Sequence, residues 1–176
     1  FFKMKNKIFK PYLDLNSHIS GMELRGELLK SIAQNTNLDT NLIIRKRKDR
    51  TYIENEKYKF EYWNNMLSTP FTLCVRGNGN FSVRFYETLA LGRIPILFDT
   101  DCVLPLSNEI DWKKHCLIIK KTAPSKAVNV IAQMIKSISE DHTISLQISN
   151  RKLWLDNLSF SGFYYSFRKQ ILKNFN

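Results

Sequence analysis

Hydrophobic and polar positions along this 176-residue chain switch between a helical and an extended period, and the switches mark out its elements. In residues 22–35, Met22, Leu28, Leu29, Ile32 and Ala33 fall at helical spacing while Glu23, Arg25, Glu27 and Lys30 project elsewhere, which predicts an amphipathic helix. Residues 41–44 form a short apolar run that reads as a strand leading into the basic loop Arg45-Lys46-Arg47-Lys48-Asp49-Arg50. Residues 54–68 carry Tyr58, Tyr62, Trp63, Met66 and Leu67 at three- and four-residue steps, a second helix closed by Thr69-Pro70.

The apolar run Phe71-Thr72-Leu73-Cys74-Val75 has strand length and gives way abruptly to Arg76-Gly77-Asn78-Gly79-Asn80. Ser82 suits the N-cap of a helix running through Leu91. Phe81 and Tyr86 sit where a hydrophobic staple would place them, and Gly92 supplies the stop. Residues 94–98 and 115–119 are two further buried-strand candidates. The rest reads as helix, over residues 124–140 with Val128, Ile131, Ile135 and Ile138 on one face, then over 143–158 and 161–175. Helices alternating with continuous apolar strands predict an α/β fold, a parallel sheet covered on both faces. The ligand of such a sheet lies beyond the carboxyl ends of its strands, at Arg45, the loop of residues 76–82, and residues 99–102.

That loop carries the chemistry. Gly77 and Gly79 let the backbone turn sharply and approach a ligand, and a helix starting after Ser82 aims its free N–H groups at the same space, so phosphate is the natural guest. Arg76 and Arg84 can add charge-assisted hydrogen bonds of about 1.5–3 kcal/mol each, against about 0.3–1 kcal/mol from the helix end. The arginines therefore decide whether a diphosphate binds. Glu87, one helical turn beyond Arg84, can accept hydrogen bonds from both hydroxyls of a ribose. The plainer reading is an exposed i,i+3 ion pair worth a few tenths of a kcal/mol. The glycine pattern departs from the dinucleotide fingerprint at its third position, and no Gly-Lys-Ser/Thr follows as in a Walker loop.

The run RGNGNFSVRFYETLALGRIPILFDTDCVLPLSNEIDW resembles the C-terminal signature of the exostosin-like glycosyltransferases. The match is dense over residues 71–112, with a weaker upstream echo in Arg25-Gly26-Glu27-Leu28-Leu29 and Ile43-Ile44-Arg45. The resemblance implies the Rossmann-like, nucleotide-sugar-binding C-terminal half of an inverting, metal-independent transferase of the two-domain GT-B type, with a UDP-sugar as donor and a glycan as acceptor. It implies that Ser82, Arg84 and Arg76 hold the diphosphate and Glu87 the ribose, that Asn80 shapes the loop, and that Asp101 lies near the donor sugar. No cofactor or metal is implied. The half that carries the acceptor site and the base has no counterpart here, so the catalytic residue is unassigned and an N-terminal acceptor domain or a partner chain is expected to supply it. The opening Tyr12-Leu13-Asp14-Leu15-Asn16 departs from the family's Phe-x-Gly strand. The expected division is an edge or linker over 1–17, the sugar-nucleotide domain over 18–158, and a C-terminal helix over 159–176 returning to the missing half.

Composition narrows the alternatives. Lys+Arg 27 against Asp+Glu 16 gives a net charge of +11, which suits nucleotides, acidic glycans, nucleic acid or an anionic bilayer. A polyanion- or nucleic-acid-binding basic module is thus the second reading and a remnant that binds nucleotide without turnover the third, although nucleic acid is not the partner expected. Cys74, Cys102 and Cys116 are odd in number and lack Cys-x-x-Cys spacing, which reads as buried reduced thiols. Asp99-Thr100-Asp101 spells a manganese motif of a different transferase class, but after a strand in this context it reads as a loop. His18, His115 and His142 are isolated and read as surface or packing histidines, His115 being the most suggestive because it starts a strand. The aromatics Phe163, Tyr164, Tyr165 and Phe167 near the chain's end read as an interdomain or membrane-facing surface. The chain begins without methionine and holds no apolar run of membrane-spanning length, so it reads as soluble and incomplete at its N-terminus. A glycan on the Asn80-Phe81-Ser82 acceptor would fill the proposed cleft, which favours a cytoplasmic, membrane-peripheral setting over the Golgi lumen.

Overall fold

The computed structural model describes residues 21–44, 52–77 and 79–173. The expected segment 1–17, His18, the basic loop with Arg45, and Asn78 lie outside the described residues. Helices α1 (Gly21–Ala33) and α2 (Tyr52–Leu67) precede strand β1 (Phe71–Cys74). Then come α3 (Val83–Ala90), β2 (Ile94–Asp99), a 3-10 turn (Trp112–Lys114), β3 (Leu117–Lys120), α4 (Pro124–Lys136), α5 (Glu140–Leu153), a π turn (Trp154–Leu158) and α6 (Phe160–Lys173).

The three strands form one parallel sheet in the order β1-β2-β3, with Phe71 opposite Ile94 and Ile96 opposite Leu117. Alternation along the strands divides the core into two layers. Ile96, Phe98, Leu117 and Ile119 pack with Leu24 and Leu28 of α1 and Ala127 and Ile131 of α4 on one face. Cys74 and Leu97 pack with Phe85 and Leu89 of α3 and with Ile110 and Trp112 on the other, where Leu153 and Trp154 add a further cover. The fold is therefore α/β and Rossmann-like, with helices on both faces of a parallel sheet.

Local departures from the sequence pattern have identifiable causes. Residues 41–44 adopt no regular structure; Asn41 instead accepts from Asn65 Nδ2 at 2.8 Å and donates its Nδ2 to Ser68 Oγ at 2.9 Å, tying the segment to the end of α2. The buried stripe of α1 is Leu24, Leu28 and Ile32, four residues apart, and leaves Met22 exposed. The helix expected over 124–140 stops at Lys136, and Ser139 caps α5 by accepting from the His142 amide at 3.2 Å. Gly92 has φ +64° and lies against Arg151, so it ends α3 where a side chain would be strained and crowded.

Asn150 of α5 is fully buried and satisfied. Its Nδ2 donates to the carbonyls of Arg93 at 3.0 Å and His115 at 2.9 Å, and its Oδ1 lies 3.0 Å from His115 Nδ1, which makes that nitrogen the donor. His115 is thus a packing residue at the amino end of β3, joined through Asn150 to the start of β2.

Candidate functional site

At the carboxyl end of β1 the chain must leave the sheet and begin α3 within eight residues, and it does so around a cavity of about 450 Å³. Leu73 and Val75 form its floor, Gly77, Gly79 and Phe81 its loop wall, and Ser82, Val83, Arg84 and Glu87 the first turns of α3. Arg25 of α1 and Tyr62 of α2 complete the lining. The Gly77 amide donates to the Phe81 carbonyl at 3.0 Å, which closes the loop on itself. Gly21 abuts it from behind: a Cβ there would overlap the carbonyl oxygens of Gly77 and Arg76.

Ser82 occupies the N-cap with extended backbone, as its residue type predicts, but its side chain makes no capping bond. The first-turn amides of α3 are therefore not consumed by a serine hydroxyl, and the helix end that forms the cavity wall keeps donors for an anion. Phe81 lies over Gly79 with its ring 56% exposed rather than buried as the inner half of a staple, while Tyr86 packs toward the core.

Arg84 and Glu87 meet on this wall through a residue that helical periodicity had placed merely in α2. The Tyr62 hydroxyl donates to Glu87 Oε2 and accepts from Arg84 Nε at 3.3 Å, and the Arg84 guanidinium lies 4.9 Å from the centre of the Tyr62 ring. Burial and the bond to Glu87 push the Tyr62 phenol above its ordinary value of 10.0, so at neutral pH it is a protonated donor. With Nε committed to Tyr62, a bidentate grip on a phosphate falls to the two terminal Nη groups of Arg84.

Neighbouring residues support the loop from outside. Asn80 Nδ2 donates to the carbonyls of Thr100 at 2.9 Å and Asp101 at 3.1 Å, and its Oδ1 accepts from Thr100 Oγ1 at 2.6 Å. Asn80 thus stitches the β1–α3 loop to the β2 loop. Asp99 Oδ1 accepts from the amides of Asp101 at 3.0 Å and Cys102 at 3.3 Å, holding Asp101 at φ +62°. The Asp99-Thr100-Asp101 run therefore serves as a turn at that oxygen. Arg76 is buried and does not line the cavity. The thiols are structural: burial pushes Cys74 and Cys116 up to about 12.

Of the residues the sequence singled out, Gly77, Gly79, Ser82, Arg84 and Glu87 share this one cavity, Asn80 and Asp101 adjoin it through hydrogen bonds, and Arg76 lies behind it. Sequence reasoning missed Tyr62 and Arg25. Arg25 opens the upstream run Arg25-Gly26-Glu27-Leu28-Leu29, and this was the available signal.

Comparisons with known proteins identify the family. A family model for the exostosin GT47 domain matches residues 8–134. The chain is 30% identical over 107 residues to "Exostosin-1 homolog" of Caenorhabditis elegans, covering 60% of this chain and 27% of that protein. It is 28% identical over 102 residues to "Exostosin-1" of Drosophila melanogaster, covering 57% of this chain and 13% of that protein. With "Exostosin-1" of Bos taurus the identity is 30% over 108 residues, 61% of this chain and 14% of the relative. The chain therefore spans between about an eighth and just over a quarter of the length of these relatives. Among the described residues no helix is long and apolar enough to cross a membrane.

Proposed function

The chain belongs to the exostosin GT47 family, and on that premise we propose that it is the donor-binding half of a GT-B glycosyltransferase, which moves a sugar from a nucleoside diphosphate to a glycan acceptor. The observation that carries this reading is the single cavity at the carboxyl end of β1, where the start of α3, Arg84 and Glu87 meet. The first-turn amides and Arg84 suit a diphosphate and Glu87 suits a ribose, and a volume of about 450 Å³ is in the usual range for a bound small molecule.

In the reaction so read, a deprotonated acceptor hydroxyl displaces the diphosphate at the anomeric carbon with inversion. Negative charge builds on the departing diphosphate, where Arg84 and the helix amides strengthen their bonds to it. These donors supply the positive charge locally, which is the ground for reading the transfer as metal-independent. UDP is the nucleotide proposed. The acceptor hydroxyl's base belongs to a further domain or partner chain, and the exposed aromatic face of α6 is the surface such a domain would cover. The setting proposed is cytoplasmic and membrane-peripheral, on the ground that a glycan on Asn80 would replace one of the two amide hydrogens donated to Thr100 and Asp101.

Calorimetric titration with UDP and GDP tests the reading. The parent is expected to bind UDP, and Arg84→Ala to weaken it by about 1.5–3 kcal/mol, roughly ten- to a hundredfold. Failure of the folded parent to bind either nucleotide at millimolar concentration overturns the reading. Salt-sensitive binding of any polyanion without nucleotide preference replaces it with a polyanion-binding module.

A further inference from the structure

We propose that Tyr62 is a positioning residue of this site, joining its phosphate-binding and ribose-binding halves: its hydroxyl orients Glu87 for the ribose and its ring orients Arg84 for the diphosphate. This rests on the donor-site reading and deepens it.

Glu87 and Arg84 are both long side chains, and each must surrender rotamer freedom to meet a ligand. Tyr62 makes that restriction before the ligand arrives. Its half-buried phenol has two rotatable torsions, comes from a different element, and contacts both groups at once. The donation from Tyr62 to Glu87 occupies one carboxylate oxygen, Oε2, and leaves Oε1 as an acceptor for a ribose hydroxyl. The bond from Arg84 Nε and the stacking of the guanidinium on the ring fix the plane of the fork, so that its terminal Nη groups are the pair presented to phosphate. One residue thereby sets the spacing between the anion grip and the ribose acceptor, a spacing that a ribonucleoside diphosphate has and free pyrophosphate does not need.

The two halves separate by substitution. Tyr62→Phe removes the hydroxyl from both Glu87 and Arg84 Nε but keeps the ring under the guanidinium, so Arg84 loses only its long 3.3 Å bond, whereas Tyr62→Ala removes the ring as well. Titration with UDP and with inorganic pyrophosphate, alongside thermal denaturation, is the experiment. Tyr62→Phe is expected to weaken UDP about tenfold and leave pyrophosphate within about twofold, while Tyr62→Ala weakens both about tenfold. In a Glu87→Ala background, adding Tyr62→Phe is expected to cost UDP less than about twofold, because the group it positions is gone. Should the parent bind UDP and Tyr62→Phe leave that affinity within twofold, the positioning role is overturned and the donor site stands. Parallel losses of UDP and pyrophosphate in Tyr62→Phe with a lowered Tm also overturn it, in favour of a purely structural tyrosine. A folded parent that binds neither UDP nor GDP at millimolar concentration overturns the donor site, and the role of Tyr62 falls with it.

Discussion

Helices α3 and α6 are both rich in aromatic and aliphatic residues, yet they use them in opposite ways. On α3, Phe85 and Leu89 are buried against Cys74, Leu97 and Trp112, and the polar residues Arg84 and Glu87 line the cavity. On α6 the buried positions are Gly162 and Ser166, while Phe160 is 94% exposed and Tyr164 and Tyr165 are exposed as well. A Cβ at Gly162 would overlap the Leu155 carbonyl oxygen, and Ser166 Oγ donates to Asn157 Oδ1 at 3.2 Å, so α6 meets the π turn backbone to backbone. Close approach there requires small residues and turns the large ones outward. The difference teaches that apolar content does not itself make a core: the sheet offers α3 a complementary face, whereas the π turn offers α6 only a narrow one.

Truncation at the inner helix should break the fold first. Phe85→Ala removes a side chain that is 1% exposed and packed against Trp112 with ring centres 5.3 Å apart, and is expected to cost about 3–5 kcal/mol in urea denaturation. A loss below about 1 kcal/mol would mean that α3 is no more tightly held than α6, and the comparison would collapse.

Alkali probes the same inner layer more gently. Burial raises the Cys74 and Cys116 thiols from the ordinary 9.0 to about 12. Both are neutral in either state below pH 9, so their contribution is fully present there. Above it the unfolded chain releases those protons first, and stability is expected to fall by about 1 kcal/mol per thiol per pH unit until the folded-state value near 12 is reached. Denaturation between pH 8 and 11 measures the slope, which Cys116→Ala should make shallower; an unchanged slope would place that thiol in contact with water.

The smallest effect belongs to α6. Phe160→Ser exchanges an almost fully exposed ring for a hydroxyl, and the expected change in unfolding free energy is within about 0.5 kcal/mol, with improved solubility. A loss above about 2 kcal/mol would show that the ring is covered in solution and would erase the contrast with Phe85.

Legibility followed the range of the interactions involved. The strand–glycine loop–helix unit was readable because its determinants are neighbours in sequence: an apolar run, Gly77 and Gly79, Ser82 at the N-cap, and Gly92 in the left-handed conformation that ends α3. Arg84 and Glu87 were readable as a pair for the same reason, since a helix sets residues three apart on one face. The segment over 41–44 was misread as a strand because an apolar run does not reveal whether a neighbouring strand exists to pair with it. Arg76 stands beside the loop in sequence, but whether a side chain at a strand end lines the cavity depends on tertiary packing, and Arg76 is buried outside the lining.

Tyr62 shows the division most clearly. Its helical spacing with Tyr58 and Met66 announced an amphipathic α2 and nothing more, and its partners Arg84 and Glu87 lie 22 and 25 residues away. Local backbone preferences, written in a few adjacent residues, were enough to specify an α/β chain with a glycine loop between a strand and the helix that follows it. Which side chains complete that loop, and which apolar face stays uncovered, depended on how separate elements pack, because hydrogen bonding and burial between distant segments arise only once the sheet has brought them together.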